Sequence, residues 1–229
     1  MENKLKSTMK TSKDPLGEKV SVEKAKKRIN KRKERQKKYV FLDLETGGLN
    51  DSKIGKKFGR DYYPILQIAL IVTDKNYKEI AKPLNLIIKQ TEKDLEKVSD
   101  WSREQFKDTL MKECLQSEIS LDQAEEKIID FLKGNNINEK EAYLAGNSIR
   151  LDRDFITSQM PNLNDFLHYR MLDLTSLRLF MSDIYGQENI KIKKAGTHDA
   201  LTDIRESIAE AKYYKNFTKK PKISRKNKP

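Results

Sequence analysis

Cysteine is nearly absent from this chain: Cys114 is the single one among 229 residues. That excludes an intramolecular disulfide and any Cys-rich zinc site. Cys114 falls in Gln105–Leu115, a helix-like stretch, and reads as a packing residue rather than a reactive thiol. No apolar run approaches the roughly 18 residues needed to cross a membrane. The first residues are charged and lack the apolar core of a secretory signal. These absences predict a soluble protein in a reducing compartment. The cytoplasm is the first choice, with the nucleus or mitochondrion as eukaryotic alternatives. There is no internal repeat, and histidine occurs only twice, as His168 and His198.

Charge is abundant but uneven. The net charge is +12. Residues 1–38 hold 15 basic and 5 acidic residues, and residues 215–229 hold 7 basic and none acidic, which leaves 39–214 at −5. A strongly basic chain ordinarily points to a nucleic-acid-binding face. Here the excess sits in the tails, so longer nucleic acid is a possible partner for them. Residues 1–38 lack apolar periodicity and read as a disordered basic arm, helical at most from Val22 onward. Its Lys26-Lys27-Arg28 and Lys31-Arg32-Lys33 clusters fit a solvated charge run, a nuclear address or a nucleic-acid tether. Residues 39–217 read as one domain, and 218–229 as a basic tail; the length suits one domain of about 150–200 residues plus extensions.

Inside the domain, Asp43 and Glu45 interrupt the apolar run Tyr39-Val40-Phe41-Leu42-Asp43-Leu44-Glu45. Alternate strand residues point to one face, so the two carboxylates project together. Burying two like charges is unfavourable without compensation, and a hard divalent cation compensates carboxylates well. Read alone, the pair fits an exposed strand end with two solvated acids better than a metal site.

Strand-like segments are Tyr39–Leu44, Ile65–Thr73 and Leu84–Lys89, with a turn at Val72–Asn76. Helical segments are Glu92–Val98, Glu104–Leu115 and Leu121–Lys133. The last has apolar spacing at Leu121, Ala124, Ile128, Ile129 and Leu132, and is ended by Gly134-Asn135-Asn136. Tyr143–Ala145 reads as a short buried strand and Leu151–Met160 as a helix ending before Pro161. Leu174–Tyr185 and His198–Phe217 are further helices. Three strands followed by helices alternating with short strands predict an α/β domain with a mixed sheet.

Two more segments bear on chemistry. Gly146–Phe155 leads from strand into helix and carries Asp152. Gly196–Ser207 carries His198 and Asp203. Four carboxylates and one imidazole suit two-metal phosphoryl transfer, in which cations about 3.5–4 Å apart clamp the attacking and leaving oxygens. An imidazole titrating near neutrality can take a proton from water. Five residues on a helix turn about 500°, so His198 and Asp203 do not share a face; His198 belongs at the helix entrance, where Thr197 can cap it.

The D-x-E, the later Asp and the H-x4-D are similar to the DEDDh 3′→5′ exonucleases. Three longer strings resemble oligoribonucleases: GNSI-x2-DR-x-F at 146–155, MP-x-L-x2-F-x-HYR-x-LD at 160–173, and GTH-x-A-x2-DIRES-x-AE-x2-YY at 196–214. The resemblance spans roughly residues 39–217. It implies an RNase H-like (DnaQ-like exonuclease) fold, with a mixed five-stranded sheet flanked by helices. It implies a homodimer that shortens RNAs of two to five nucleotides to nucleoside 5′-monophosphates with two Mg²⁺ or Mn²⁺ ions. A broader exonuclease acting on longer RNA or single-stranded DNA is the alternative.

Carried over, Asp43, Glu45, Asp152 and Asp203 correspond to the metal ligands, and His198 to the general base. Leu49 corresponds to a wedge against the terminal base. Trp101 matches an aromatic near the site, although its chemistry fits a core anchor equally well. Ser148 and Thr175 are further substrate-binding candidates. Tyr169 and Arg170 match a pair that the other subunit places near the substrate's 5′ phosphate, a cap that favours short strands. His168 reads as structural, Asp173 as a hydrogen-bonded strand-end residue, Asp199 as a first-turn acid, and Tyr213 and Tyr214 as helix packing.

Several positions depart from the family pattern. Leu-Glu-Thr-Gly-Gly-Leu stands where LEMTGL is usual, Gln67 where Glu is usual, Phe106 where a His is common, and Leu151 where Gln is common. These departures bear on base and sugar contacts. Residues 51–63 form an insertion that interleaves Lys53, Lys56, Lys57 and Arg60 with Phe58, Tyr62 and Tyr63. It reads first as a mobile loop and second as an RNA-contacting lid.

Overall fold

Strand β1, Lys38–Thr46, is the axis of the sheet. The computed structural model describes residues 37–190 and 200–218. The expectations for the arm and the tail, and for Thr197, His198 and Asp199, lie outside the described residues. Strands β2 (Lys53–Ile54) and β3 (Lys57–Phe58) form a separate hairpin. The main sheet adds β4 (Ile65–Asp74), β5 (Leu84–Ile87), β6 (Ala142–Gly146) and β7 (His168–Asp173), in the order β5-β4-β1-β6-β7. β1 is antiparallel to β4 and parallel to β6; β4 and β5 are antiparallel, β6 and β7 parallel. This is the mixed five-stranded sheet expected from the sequence.

The described helices are α1 (Glu92–Leu95), α2 (Asp100–Phe106), α3 (Leu110–Gln116), α4 (Leu121–Gly134), α5 (Arg150–Gln159), α6 (Pro161–Phe166), α7 (Leu174–Tyr185), α8 (Gln187–Ile190) and α9 (Ala200–Phe217). They cover both faces of the sheet. Val40, Leu42 and Leu44 pack with Ile128 and Leu132 of α4 and Phe155 and Ile156 of α5. Phe41, Ala69, Ile71 and Ala145 pack with Leu174 of α7 and Ile204, Ile208 and Ala211 of α9. The alternation of β1 therefore decides the site. Asp43 and Glu45 continue the Phe41 face, towards α9, which carries Asp203.

Three expectations change. The helix read at Glu104–Leu115 is two helices. Ser99 caps α2 through the Ser102 N–H, and Thr109 leaves the helical region at φ −127°, ψ −99°. α1 starts at Glu92 as expected, behind a reciprocal Thr91–Asp94 capping box, but ends at Leu95 rather than Val98. α6 is a helix not read from the sequence, and β7 was foreshadowed only by the strand-end reading of Asp173. Pro161 starts α6 at its first turn, where its missing N–H is harmless. β7 is a sheet edge with largely exposed residues and so lacks the apolar alternation that marks a strand.

The 51–63 insertion folds as a hairpin followed by a turn, and the turn is anchored. The Arg60 N–H donates to the Asn50 carbonyl at 3.0 Å. The Gln159 side-chain amide donates to the Arg60 and Tyr63 carbonyls at 2.7 and 2.9 Å. Ser158 Oγ donates to Asp61 Oδ1 at 2.7 Å. The turn that follows the hairpin thus leans on α5. Gly59 is required there, because a Cβ would run into the Leu49 carbonyl.

Candidate active site

A cleft of about 610 Å³ opens at the carboxyl end of β1. Asp43, Glu45, Leu49, Trp101, Ser148 and Asp152 all line it. Its position follows from strand length. β6 pairs with β1 only from Lys38 to Phe41. Beyond that point the β1 backbone has lost its parallel neighbour, and a side chain replaces it: the Leu44 N–H donates to Asp152 Oδ1 at 3.0 Å. This bond carries Asp152 from α5 to the two β1 acids. The turn before α5 is tight, with Ser148 at φ 49°. A Cβ on Gly146 would meet Ile149 at 2.9 Å and the Leu42 carbonyl at 3.1 Å.

The acids feel one another. Burial, then the neighbouring Asp203, pushes the Asp43 carboxyl up to about 7. Asp152 is held well above the carboxylate range by burial first and by Asp43 next, against the pull of the Leu44 N–H; Glu45 adds to the rise. Among the described residues no three His, Cys, Asp or Glu side chains are already gathered into an ion cage. The donor set itself fits a hard divalent ion, being all oxygen, negative and partly withdrawn from water.

A polar network secures the other wall. Asn147 Nδ2 donates to Ser207 Oγ at 2.8 Å, and Ser207 Oγ donates to the Asp203 carbonyl at 3.0 Å. The Ser148 N–H donates to Thr175 Oγ1 at 3.0 Å. Asp173, at the end of β7, accepts from the Thr175 and Ser176 N–H groups. Arg178 pairs with the buried Glu210 at 3.1 Å, and Tyr214 donates to the same carboxylate. α7 and α9 are thereby tied to the β6–α5 turn.

A family model described as Exonuclease matches residues 40–211. The chain belongs to the exonuclease family. Among curated relatives, an oligoribonuclease of Francisella tularensis is 36% identical over 177 residues, covering 77% of this chain and 93% of the relative. The human mitochondrial oligoribonuclease is 35% identical over 189 residues, covering 82% and 76%. The fold also matches an E. coli exonuclease I–ssDNA complex at TM-score 0.58, with 18% identity. That match covers 81% of this chain, which spans 42% of the larger molecule's length.

In this exonuclease the sequence-expected residues separate into groups. Asp43, Glu45, Asp152, Leu49, Trp101 and Ser148 meet in the cleft, with Asp203 electrostatically coupled to Asp43. Leu49 and Trp101 are 65% and 64% exposed, so Trp101 is a cleft residue and not a core anchor. Thr175 reaches the site through Ser148. Tyr169 and Arg170 are exposed on the β7 edge and do not line the cleft of their own chain. Phe106, where the family often has His, is buried and lines the cleft. His198 lies outside the described residues.

His168 is structural as expected: its Nδ1 accepts the Arg170 N–H at 3.0 Å, and its ring sits 4.4 Å from Tyr143 and 4.7 Å from Tyr169. Asn50 and Asn147 were not singled out from the sequence, and Tyr63 was named only within the insertion, yet all three line the cleft. Asn147 stands in the GNSI string and was legible there. The Tyr63 ring fills the space beside Gly48, where a Cβ would come within 2.5 Å of it.

Proposed function

We propose that this exoribonuclease shortens RNAs of two to five nucleotides from the 3′ end, releasing nucleoside 5′-monophosphates with two Mg²⁺ or Mn²⁺ ions. The observation that carries this is the convergence of Asp43, Glu45 and Asp152 on one cleft, with Asp203 raising the Asp43 pKa. The level of relatedness to named oligoribonucleases supports the short-RNA preference.

Asp43, Glu45, Asp152 and Asp203 would hold the cations. When bound, these supply Lewis-acid stabilisation of phosphoryl oxygens and lower the pKa of water. Leu49 and Trp101 flank the terminal nucleotide, one as an apolar wedge and the other as a stacking surface. Ser148 and Thr175, joined at 3.0 Å, orient the scissile end. His198 takes the proton of the attacking water.

We place Tyr169 and Arg170 in the site of a second copy. They project from an exposed sheet edge, and Arg170 lies 5.1 Å over the Tyr169 ring, a pre-formed cation and hydroxyl for a 5′ phosphate. A second exposed apolar surface is the α7 face of Leu179, Phe180 and Ile184. A homodimer covers that face and completes the site. We assign residues 39–217 to the catalytic domain, 1–38 and 218–229 to basic extensions, and the cytoplasm as location, with the nucleus or mitochondrion as eukaryotic alternatives. Among the described residues no helix is long and apolar enough to cross a membrane.

The test is degradation of 5′-labelled RNAs of two to thirty nucleotides and matched DNAs, by the wild type and Asp203→Ala, with Mn²⁺ and with EDTA. Metal-dependent decay that is fastest for dinucleotides and lost in Asp203→Ala is expected. Equal decay of long strands or DNA means a broader exonuclease, and full activity of Asp203→Ala removes the metal-site assignment.

A further inference from the structure

The hairpin β2–β3 presents cations that the catalytic reading does not use. Its two-residue connection, Gly55-Lys56, has Gly55 at φ 61°, and the pairing sets Lys53 opposite Phe58 and Ile54 opposite Lys57. Lys53, Lys56, Lys57 and Phe58 are exposed. None of the three lysines has an ion pair among the described residues. The Arg60 guanidinium lies 4.4 Å over the Phe58 ring. The two acids of the segment flank this group, and one of them, Asp61, is engaged by Ser158 at 2.7 Å.

The hairpin springs from segments that line the cleft. Leu49, Asn50 and Ser52, which lead into it, and Tyr63, which follows it, are cleft-lining residues. The Arg60 N–H on the Asn50 carbonyl closes its base, and Gln159 holds the turn that follows through the Arg60 and Tyr63 carbonyls. Lysines carried on a paired hairpin with a closed base are presented together, so their backbone loses little freedom when an anion binds.

Charge complementarity selects the occupant. Residues 39–214 are net −5, and the cleft itself holds acids, so the surroundings of the site repel a polyanion. The hairpin adds a local positive surface beside the cleft, with an aromatic ring and a guanidinium plane among the lysines. Lysines that meet phosphates, interleaved with flat surfaces that meet bases, are the recognition chemistry of single-stranded nucleic acid.

We infer that the β2–β3 hairpin is a second RNA-contacting surface, which binds backbone phosphates of strands longer than two nucleotides through Lys53, Lys56 and Lys57. It rests on the exoribonuclease reading and adds to it a length-dependent capture step. A dinucleotide has too few phosphates to occupy cleft and hairpin together; a pentanucleotide has enough.

The full chain and the combined Lys53→Ala/Lys56→Ala/Lys57→Ala variant are compared on a dinucleotide and a pentanucleotide RNA in Mn²⁺ across a KCl series. The variant should raise KM for the pentanucleotide about fivefold or more at low salt, with kcat unchanged and the gap closing as salt rises. Each lost phosphate contact should lower the slope of log affinity against log salt by about 0.7. Dinucleotide KM should stay at the wild-type value. The same pentanucleotide, fluorescein-labelled and followed by anisotropy in EDTA, gives a readout independent of catalysis. Equal anisotropy curves and equal salt slopes for wild type and variant overturn the inference. A wild type that binds the pentanucleotide through the lysines but cleaves neither RNA upholds the hairpin and overturns the exoribonuclease reading instead. Circular dichroism melts of both proteins report any loss of folding, which removal of exposed lysines should not produce.

Discussion

The Leu44 N–H and Asp152 Oδ1, 108 residues apart in sequence, are joined at 3.0 Å. Asp152 thus has two jobs: it replaces the missing strand partner of Leu44, and it belongs to the acidic site. Two substitutions separate them. Asp152→Asn keeps an acceptor for Leu44 while removing charge, so metal-free stability should be equal or higher. Asp152→Ala strands the Leu44 donor and should lower stability by about 1–3 kcal/mol. Both should lose more activity than the roughly 10–100-fold typical of groups outside the ligand set. Thermal melts in EDTA beside Mn²⁺-dependent RNA hydrolysis check this; a stable, active Asp152→Ala contradicts both roles.

Metal-free stability should fall as pH rises from about 4 to 7. Asp43 ordinarily titrates near 3.8 and is raised to about 7 in the fold. Between those values the folded state binds more protons than the unfolded one, so raising the pH favours unfolding. Asp152 is shifted in the same direction. Asp94, lowered to about 2 by Lys97 and Thr91, acts the opposite way but only below pH 4. Divalent cations bind the ionised acids, so their stabilising effect should grow through pH 7. Melting curves at pH 5 to 8, with EDTA or Mn²⁺, should diverge as pH rises. Asp43→Asn should flatten the EDTA series; an unchanged slope in that variant would remove Asp43 as its source.

Much of this was legible in the sequence because it depends on period and spacing. The alternation of Val40, Leu42 and Leu44 against Phe41, Asp43 and Glu45 specified both the strand and the face on which the acids lie. The GNSI and DIRES strings located Asp152 and Asp203. What stayed hidden depends on tertiary partners. β7 is an exposed edge with no apolar alternation, and α6 owes its start to Pro161 and to Glu125, whose carboxylate accepts the Leu163 N–H at 2.8 Å from 38 residues away. The anchoring of residues 51–63 rests on Ser158 and Gln159, nearly a hundred residues downstream. No local pattern announces such bonds.

Cys114 should be inert in the native state. It is fully buried, its Sγ donates to the Leu66 carbonyl at 3.4 Å, and burial pushes its thiol up to about 12. The thiolate is the reactive form, so an aromatic disulfide reagent at pH 8 should label the protein only as fast as it unfolds. Labelling should become stoichiometric and rapid in guanidinium. Fast native labelling would place Cys114 outside the core formed by Leu66, Leu95, Phe106 and Met111.

The apolar α7 face offers the sharpest test of the two-subunit site. Leu179 and Phe180 are 62% and 61% exposed, so neither contributes to the core of its own chain. Charges placed there should leave folding intact while opposing any interface that buries them. Leu179→Glu/Phe180→Glu should therefore be a folded monomer by light scattering. If Tyr169 and Arg170 of the partner subunit hold the 5′ phosphate, that monomer should lose dinucleotide hydrolysis. Arg170→Ala should lose it too while remaining a dimer, because it removes the cap and not the interface. Mixing Arg170→Ala with Asp203→Ala then gives heterodimers carrying one complete site, made from the acids of one chain and the arginine of the other. Activity recovered on mixing requires cross-subunit completion. No recovery, with exchange verified, would show that Arg170 and Asp203 act within one chain.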